Sequence, residues 1–167
     1  MVDTFTNGSQ HLMHAWKRLR SELSSDLSDR DHLSMVTDFW SHSPISSRTL
    51  GWNDPASWPD AWSLMHLADF DESSVALAMF YTLSLSNDQR WNDGRLSLIL
   101  IKDLVREIQR LVLMVDQKWI LNLEYNTILD ACAPMPGFTV QQRYSYDGKI
   151  HSSLKGRRMK PKQVMDL

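Results

Sequence analysis

The apolar pattern of this chain changes its period near residue 95, and this change constrains the fold more than any other feature of the sequence. Before that point apolar side chains recur every three or four residues, as on one face of an α-helix, for example at Leu12, Trp16, Leu19 and Leu23. After it they form β-rich, partly alternating runs such as residues 96–101. Helices followed by strands predict an α+β fold in which the helices pack on one face of an antiparallel sheet.

The first half of the helical region predicts two helices and a packed loop. The first helix has about 15 residues and carries the apolar stripe given above. The second follows a capping pair, Ser28 and Asp31, and ends before Pro44, because proline disfavours helical geometry in the residue that precedes it. Residues 44–61 are rich in Pro, Ser and Trp, and a loop with so much aromatic surface is expected to lie folded on the body.

A third, short helix and a long central helix complete the helical half. The third is predicted to have Pro59 in its first turn, to end near residue 67 and to place Trp62, Met65 and His66 on its inner side. Residues 72–83 are the most periodic segment of the chain and present a wide apolar face. This segment predicts a central, largely buried helix.

The second half of the chain predicts an antiparallel meander. Residues 107–115 form a second β-rich run, residues 116–118 a tight reversal, and residues 119–123 a third run. After a Pro-rich break, residues 138–146 alternate like one more strand.

Length and composition favour one domain. With 167 residues and 43% hydrophobic residues, the chain can build one sizeable core. Residues 1–148 are predicted to form a single α+β domain, helical over 9–86 and mostly β over 95–147, followed by a basic arm at 149–167. We expect neither a membrane-spanning segment nor a secretory leader, and the single cysteine, Cys132, excludes an intramolecular disulfide and a cysteine-based zinc site.

The net charge of −2 conceals a strongly dipolar chain. Residues 149–167 carry six basic side chains and one acid, a net charge of +5, whereas residues 1–148 carry −7. The basic residues of the arm are Lys149, Lys155, Arg157, Arg158, Lys160 and Lys162. Such an arm is either a solvated tail or a docking arm for an acidic partner surface or nucleic acid. Nucleic acid is the weaker choice, because Tyr146 is the only nearby aromatic and no stacking platform interleaves with the basic residues.

Residues 52–129 resemble the core of the transglutaminase-like cysteine proteinases, which have a papain-like fold. In that family a helix that starts approximately Gly-Asp-Cys-Glu-Asp-x-Ala carries the nucleophile, and residues 70–76 here read Phe-Asp-Glu-Ser-Ser-Val-Ala. The family histidine opens a strand similar to His-x-Val-Leu-x-Val, and residues 110–115 read Arg-Leu-Val-Leu-Met-Val. The orienting aspartate lies in a Leu-Asp-Asn, and residues 121–123 read Leu-Asn-Leu.

The resemblance therefore implies a degenerate catalytic triad. It puts the family cysteine on Asp71, the histidine on Arg110 and the aspartate on Asn122. A carboxylate beside a permanently charged guanidinium provides neither the thiolate nor the general base of this chemistry. We therefore expect an Asp71–Arg110 salt bridge in a former active-site cleft, no catalytic residues, no cofactor, and a protein that is not an enzyme.

Other candidate sites have structural interpretations. His11 and His14 are one helical turn apart, but without a third ligand at a known spacing they indicate two exposed surface histidines, and no metal site is predicted. An acidic group could bind a cation, although capping of the central helix by Asp69 or Asp71 explains part of it. That group comprises Asp54, Asp60, Asp69, Asp71 and Glu72. Serine-hydrolase and phosphate-loop motifs are absent from the sequence.

The favoured function is that of a non-catalytic structural or assembly protein that contacts neighbouring chains through its surface and basic arm. By analogy the chain also resembles small virion proteins of tailed phages at head, neck or tail joints, which would place it in a virion assembled in the host cytoplasm, or otherwise in the cytoplasm. Two alternatives stay open. One is a transglutaminase-like or other hydrolase with altered catalytic residues, and the other is a nucleic-acid-binding protein that uses the arm.

Overall fold

The computed structural model describes residues 4–47, 51, 54–146 and 150–152. Within these ranges the chain forms four α-helices, α1 (Ser9–Glu22), α2 (Asp29–Ser41), α3 (Ala61–Leu67) and α4 (Glu72–Ser84). It also forms six strands, β1 (Leu96–Asp103), β2 (Ile108–Val115), β3 (Trp119–Leu121), β4 (Ile128–Asp130), β5 (Phe138–Tyr146) and β6 (Ile150–Ser152). The predicted α+β class and the order of helices before strands are confirmed.

Helix starts follow the capping signals in the sequence. At α2, the Ser28 hydroxyl accepts a hydrogen bond from the Asp31 amide at 3.1 Å, and the Asp31 carboxylate accepts one from the Ser28 amide at 3.1 Å. This reciprocal pair is the predicted capping box. At α3, the Asp60 carboxylate accepts from the Ser63 amide at 2.8 Å. Asp60 is therefore the N-cap, and Pro59, which was expected in the first turn, lies just before the helix.

Helix α4 is the centre of the molecule. It is apolar on nearly every side, and all of its residues from Ser73 to Leu83 are buried, as an apolar helix enclosed by other elements requires. It packs against β2 and β1 on one side and against α1, α2 and α3 on the others. The predicted central buried helix is confirmed.

The strands form one antiparallel sheet in the order β4-β3-β2-β1-β5-β6. Strands β1 and β2 pair without interruption, with Leu100 opposite Leu111. The β1–β5 register shifts after Leu100, which is a local bulge. Asp116 and Gln117 make the β2–β3 reversal with φ of 53° and 56°, the two left-handed residues of a tight hairpin turn.

Both faces of the sheet are covered, because successive strand residues point to opposite sides. One face packs against the helices through Leu98, Leu100, Leu111 and Leu113. The other carries a second apolar cluster of Ile99, Ile101, Val112, Met114, Ile120 and Leu123, against which Leu129, Ala131, Met135 and Phe138 pack. The Pro-rich segment between β4 and β5 therefore helps to cover the sheet.

Two details differ from the sequence-based expectation. Trp62 and His66 are exposed, because α3 turns Ala61, Leu64 and Met65 inward and residues 62 and 66 fall outside that face. The Trp62 ring still contacts the Trp16 ring, with centroids 5.4 Å apart. Strands β4 and β6 were not predicted, since three residues are too short to show an alternating pattern.

Candidate functional site

The start of α4 is fixed by Asp71. The Asp71 carboxylate accepts a hydrogen bond from the Ser74 amide at 2.6 Å, and the Ser74 hydroxyl accepts one from the Asp71 amide at 2.7 Å. These bonds form a second capping box, so Asp71 is the helix cap that the sequence suggested.

Arg110 lies opposite this helix start, at the beginning of β2. Its Nη1 donates to Glu72 Oε2 at 3.0 Å, and its Nη2 donates to the carbonyls of Asn122, at 2.7 Å, and Leu123. The guanidinium is nearly buried, with 11% of the side chain exposed, whereas 49% of the Glu72 side chain is exposed. The carboxylate is therefore the part of this ion pair that faces solvent.

Two further contacts join α4 to the sheet. The Asn122 amide group donates to the Glu72 carbonyl at 2.5 Å, and the Leu111 amide donates to the Ser73 hydroxyl at 3.0 Å. Asn122 adopts a left-handed conformation with φ of 64°, which asparagine tolerates better than most residues.

The structure brings together the three positions that the family resemblance singled out, with one correction. The carboxylate that forms the ion pair with Arg110 belongs to Glu72, whereas an Asp71–Arg110 salt bridge was expected. The reason is local geometry: Asp71 is the N-cap, so its carboxylate folds back onto the first turn, while Glu72 is the first residue of the helix proper.

A cleft of about 460 Å³ opens at this point. Its walls are the end of α2, the first turns of α4, the β1–β2 turn and the loop after β3. The residues that line it are Thr37, Trp40, Ser41, Ser43, Ile45, Glu72, Val75, Met79, Arg106, Arg110, Asn122, Leu123, Glu124, Tyr125 and Asn126. The cleft therefore combines an apolar floor with donors and acceptors at its sides.

Two buried polar atoms of cleft residues have no hydrogen-bond partner in the part of the chain that the structure describes. They are Thr37 Oγ1 and Arg110 Nε, and each belongs to a residue that is at least nine-tenths buried. A buried polar atom without a partner destabilises the fold by about 1–3 kcal/mol, so such atoms are usually satisfied by water or a ligand. Both atoms lie beneath the surface of the cleft, out of contact with solvent.

The loop after β3 forms one rim of the cleft. Asn126 donates to the Asp38 carboxylate at 3.2 Å, which anchors the loop to α2. Between its anchors Glu124 is exposed and Tyr125 is 76% exposed. Sequence reasoning missed Thr37, Glu124 and Tyr125, because no local motif marks them and only the fold brings them beside Arg110.

The other sequence-based candidates lie outside this cleft. His11 and His14 are both exposed on α1. In the acidic group, Asp54, Asp60 and Asp71 each cap a helical turn, so capping accounts for much of that group. Lys149, Lys155, Arg157, Arg158, Lys160 and Lys162 lie outside the described residues, although β6 pairs with β5 inside the range predicted as the arm.

Comparison with known proteins finds similarity at the level of structure alone. No protein-family model matches the chain, and no curated protein sequence is similar to it. Three solved structures of LapG from Legionella pneumophila do superpose. One has a TM-score of 0.59 at 19% identity and covers 80% of this chain and 71% of LapG. A calcium-bound structure of LapG has a TM-score of 0.61 at 18% identity, and the match covers 84% of this chain and 81% of LapG. An EGTA-treated structure has a TM-score of 0.60 at 18% identity, with 83% of this chain and 79% of LapG covered.

The chain has a transglutaminase-like fold. The fold that the sequence resemblance implied is thus confirmed. At identities below 20%, this structural similarity establishes the fold and does not establish a shared function.

The prediction that the chain is not an enzyme is wrong by the same comparison. LapG is an active cysteine protease of this fold, so the fold points towards an enzyme. The loss of a cysteine triad at Asp71, Arg110 and Asn122 does not exclude a different set of catalytic residues. The comparison does not identify catalytic residues in this chain.

Over residues 4–47, 51, 54–146 and 150–152 no group of three or more His, Cys, Asp or Glu side chains is placed to hold a metal ion. Among the same residues, no helix has the length and apolar character needed to cross a membrane.

Proposed function

We propose that this protein recognises a polypeptide segment of a partner protein and binds it in the cleft beside Arg110. The observation that carries the proposal is an open cleft of about 460 Å³ whose lining mixes polar and apolar side chains. A polypeptide segment presents main-chain hydrogen-bonding groups as well as side chains, and so can match a mixed lining.

The individual lining residues also suit a polypeptide. Trp40, Val75 and Met79 provide an apolar floor, and Asn122 and Asn126 provide amide groups at its edge. An apolar surface with a few convergent polar groups is the usual composition of a ligand cleft. This role agrees with the interaction and assembly function favoured by the sequence, whereas the setting in a tailed-phage virion stays a prediction.

A peptide-display selection on the full chain tests the proposal. Random 12-residue peptides are selected, and the affinity of a selected peptide is measured by fluorescence anisotropy. Tyr125→Ala, which removes an exposed ring at the cleft, is expected to weaken binding about tenfold, since tyrosine is enriched among the residues that dominate binding energy. The control is Val140→Ala, which removes another exposed apolar side chain outside the cleft lining. Equal loss in both variants, or no selectable peptide, would contradict the proposal.

A second candidate function is a hydrolase with altered catalytic residues, in the same cleft. It is favoured by the fold shared with LapG and by the half-exposed Glu72 carboxylate beside the Arg110 guanidinium. In such an enzyme Glu72 would take a proton from a water molecule that attacks a peptide carbonyl, and would pass that proton to the leaving amine as the C–N bond breaks.

Mass spectrometry of the selected peptides after incubation with the protein separates the two functions. A hydrolase produces two fragments whose masses sum to the mass of the peptide plus one water, and Glu72→Gln abolishes cleavage. Intact peptides with saturable binding support recognition alone.

A further inference from the structure

The charges around the cleft point to the chemical class of its ligand. The Arg110 guanidinium is compensated by Glu72 and by two main-chain carbonyls, and little of it is exposed. A ligand that enters the cleft therefore meets the Glu72 carboxylate before it meets the guanidinium.

The rim adds further negative charge. Glu124 is exposed and has no ion-pair partner within the described ranges. Asp38, which anchors Asn126, is exposed as well and has a neutral hydrogen-bond donor as its side-chain partner. The exposed cation of the lining is Arg106, whose Nε lies 3.9 Å from an Asp103 carboxylate oxygen. The exposed carboxylates around the opening, those of Glu72, Glu124 and Asp38, thus outnumber its exposed guanidinium, that of Arg106.

We propose that the cleft is selective for polypeptide segments that carry lysine or arginine, with Glu72 and Glu124 as the groups that receive the basic side chain. The inference rests on the proposed polypeptide recognition and adds the substrate class. The cationic side chain of the segment lies against the two carboxylates. Tyr125, which also lines the cleft, offers an exposed aromatic ring that favours a cation further.

Three synthetic peptide pools test this selectivity on the full chain. The pools are random hexapeptides, blocked at both ends, in which one position is fixed as Lys, Gln or Glu. We expect the Lys pool to bind about three- to tenfold more tightly than the Gln pool and the Glu pool to bind most weakly, with a Lys preference that declines as salt is raised.

Variants at position 124 assign the preference to the rim. Glu124→Gln is expected to lower the affinity for the Lys pool about three- to fivefold and to leave the Gln pool unchanged, and Glu124→Lys to favour the Glu pool. Glu22→Gln, at the exposed end of α1, is the matched control. Glu124 has no structural partner among the described residues, so these variants are expected to fold, which a melting curve checks.

The outcomes separate the two proposals. Equal affinity for the three pools, or a preference for the Glu pool, overturns the selectivity and leaves polypeptide recognition standing. Binding of no pool at any concentration overturns both. If Glu124→Gln still binds the Lys pool more tightly than the Gln pool by the same factor as wild type, Glu124 is not the source of the preference.

Discussion

At the scale of single residues, the helical layer depends on one buried hydroxyl. Thr82 Oγ1 accepts hydrogen bonds from the indole N–H groups of Trp16 and Trp40, each at 2.9 Å, and donates to the Ala78 carbonyl at 2.7 Å. One threonine on α4 thereby satisfies two tryptophans, one from α1 and one from α2. Large indoles can be fully buried here because their N–H groups have an acceptor.

Removal of this hydroxyl should destabilise the protein strongly. Thr82→Val keeps the shape of the side chain and leaves two buried indole N–H groups without an acceptor, so we expect the free energy of unfolding to fall by about 2–4 kcal/mol. Urea unfolding followed by tryptophan fluorescence measures the change. Thr82→Ser keeps the hydroxyl and should lose about 1 kcal/mol. A valine variant as stable as wild type would show that the hydrogen bonds contribute nothing.

At the scale of secondary structure elements, the start of α4 unites packing and site geometry. Asp71 caps the helix, Glu72 forms an ion pair with Arg110, and Ser73 accepts the amide of Leu111. Three consecutive residues therefore have three different tasks. The helix start holds the site in place whether the cleft binds, cleaves or does both.

The capping role of Asp71 predicts a specific pattern of substitutions. Asp71→Ala should lower the free energy of unfolding by about 1–2 kcal/mol, because the Ser74 amide loses its acceptor, whereas Asp71→Asn should stay close to wild type. Thermal or urea unfolding measures both. If asparagine costs as much stability as alanine, the charge of Asp71 matters rather than its capping hydrogen bond.

At the scale of the whole molecule, an ion network holds the helical layer to the sheet. Asp29 at the start of α2 lies 2.9 Å from Arg90 and 2.5 Å from Arg95, and Arg95 also pairs with Asp116 at the β2–β3 turn. Burial by itself would raise the pKa of Asp29, but the hydrogen bonds from Arg95 and Arg90 outweigh it and hold that pKa below its ordinary value.

This lowered pKa predicts a loss of stability in acid. The Asp29 carboxylate stabilises the fold above its unfolded pKa of about 4, and that contribution disappears as the pH falls through the lower folded pKa. Asp29→Asn should therefore flatten the decline in the free energy of unfolding below about pH 5, and should cost less than about 1 kcal/mol at pH 7 because the side chain is 42% exposed. Urea titrations from pH 3 to pH 7 test this, with Asp26→Asn as the exposed control. An unchanged acid slope in Asp29→Asn would contradict the assignment.

The sequence by itself determined the fold class, the main helices and strands and the cap at Ser28, and it left Asp69 and Asp71 as the candidates for the cap of α4. These features follow from local rules, because a helical or alternating period and a capping hydrogen bond involve residues close together in the chain. The family resemblance also located the neighbourhood of the site at residues 71, 110 and 122.

The tertiary structure alone decided which groups meet there. That Glu72 rather than Asp71 pairs with Arg110 depends on one residue of helix geometry, about 100° of rotation, which a sequence motif cannot fix. Thr37, Glu124 and Tyr125 join the site from α2 and from the loop after β3, which are far apart in the chain. Exposure of the Glu72 carboxylate and burial of the Arg110 guanidinium, on which the proposed ligand depends, are properties of packing, because burial is decided by contacts between distant segments.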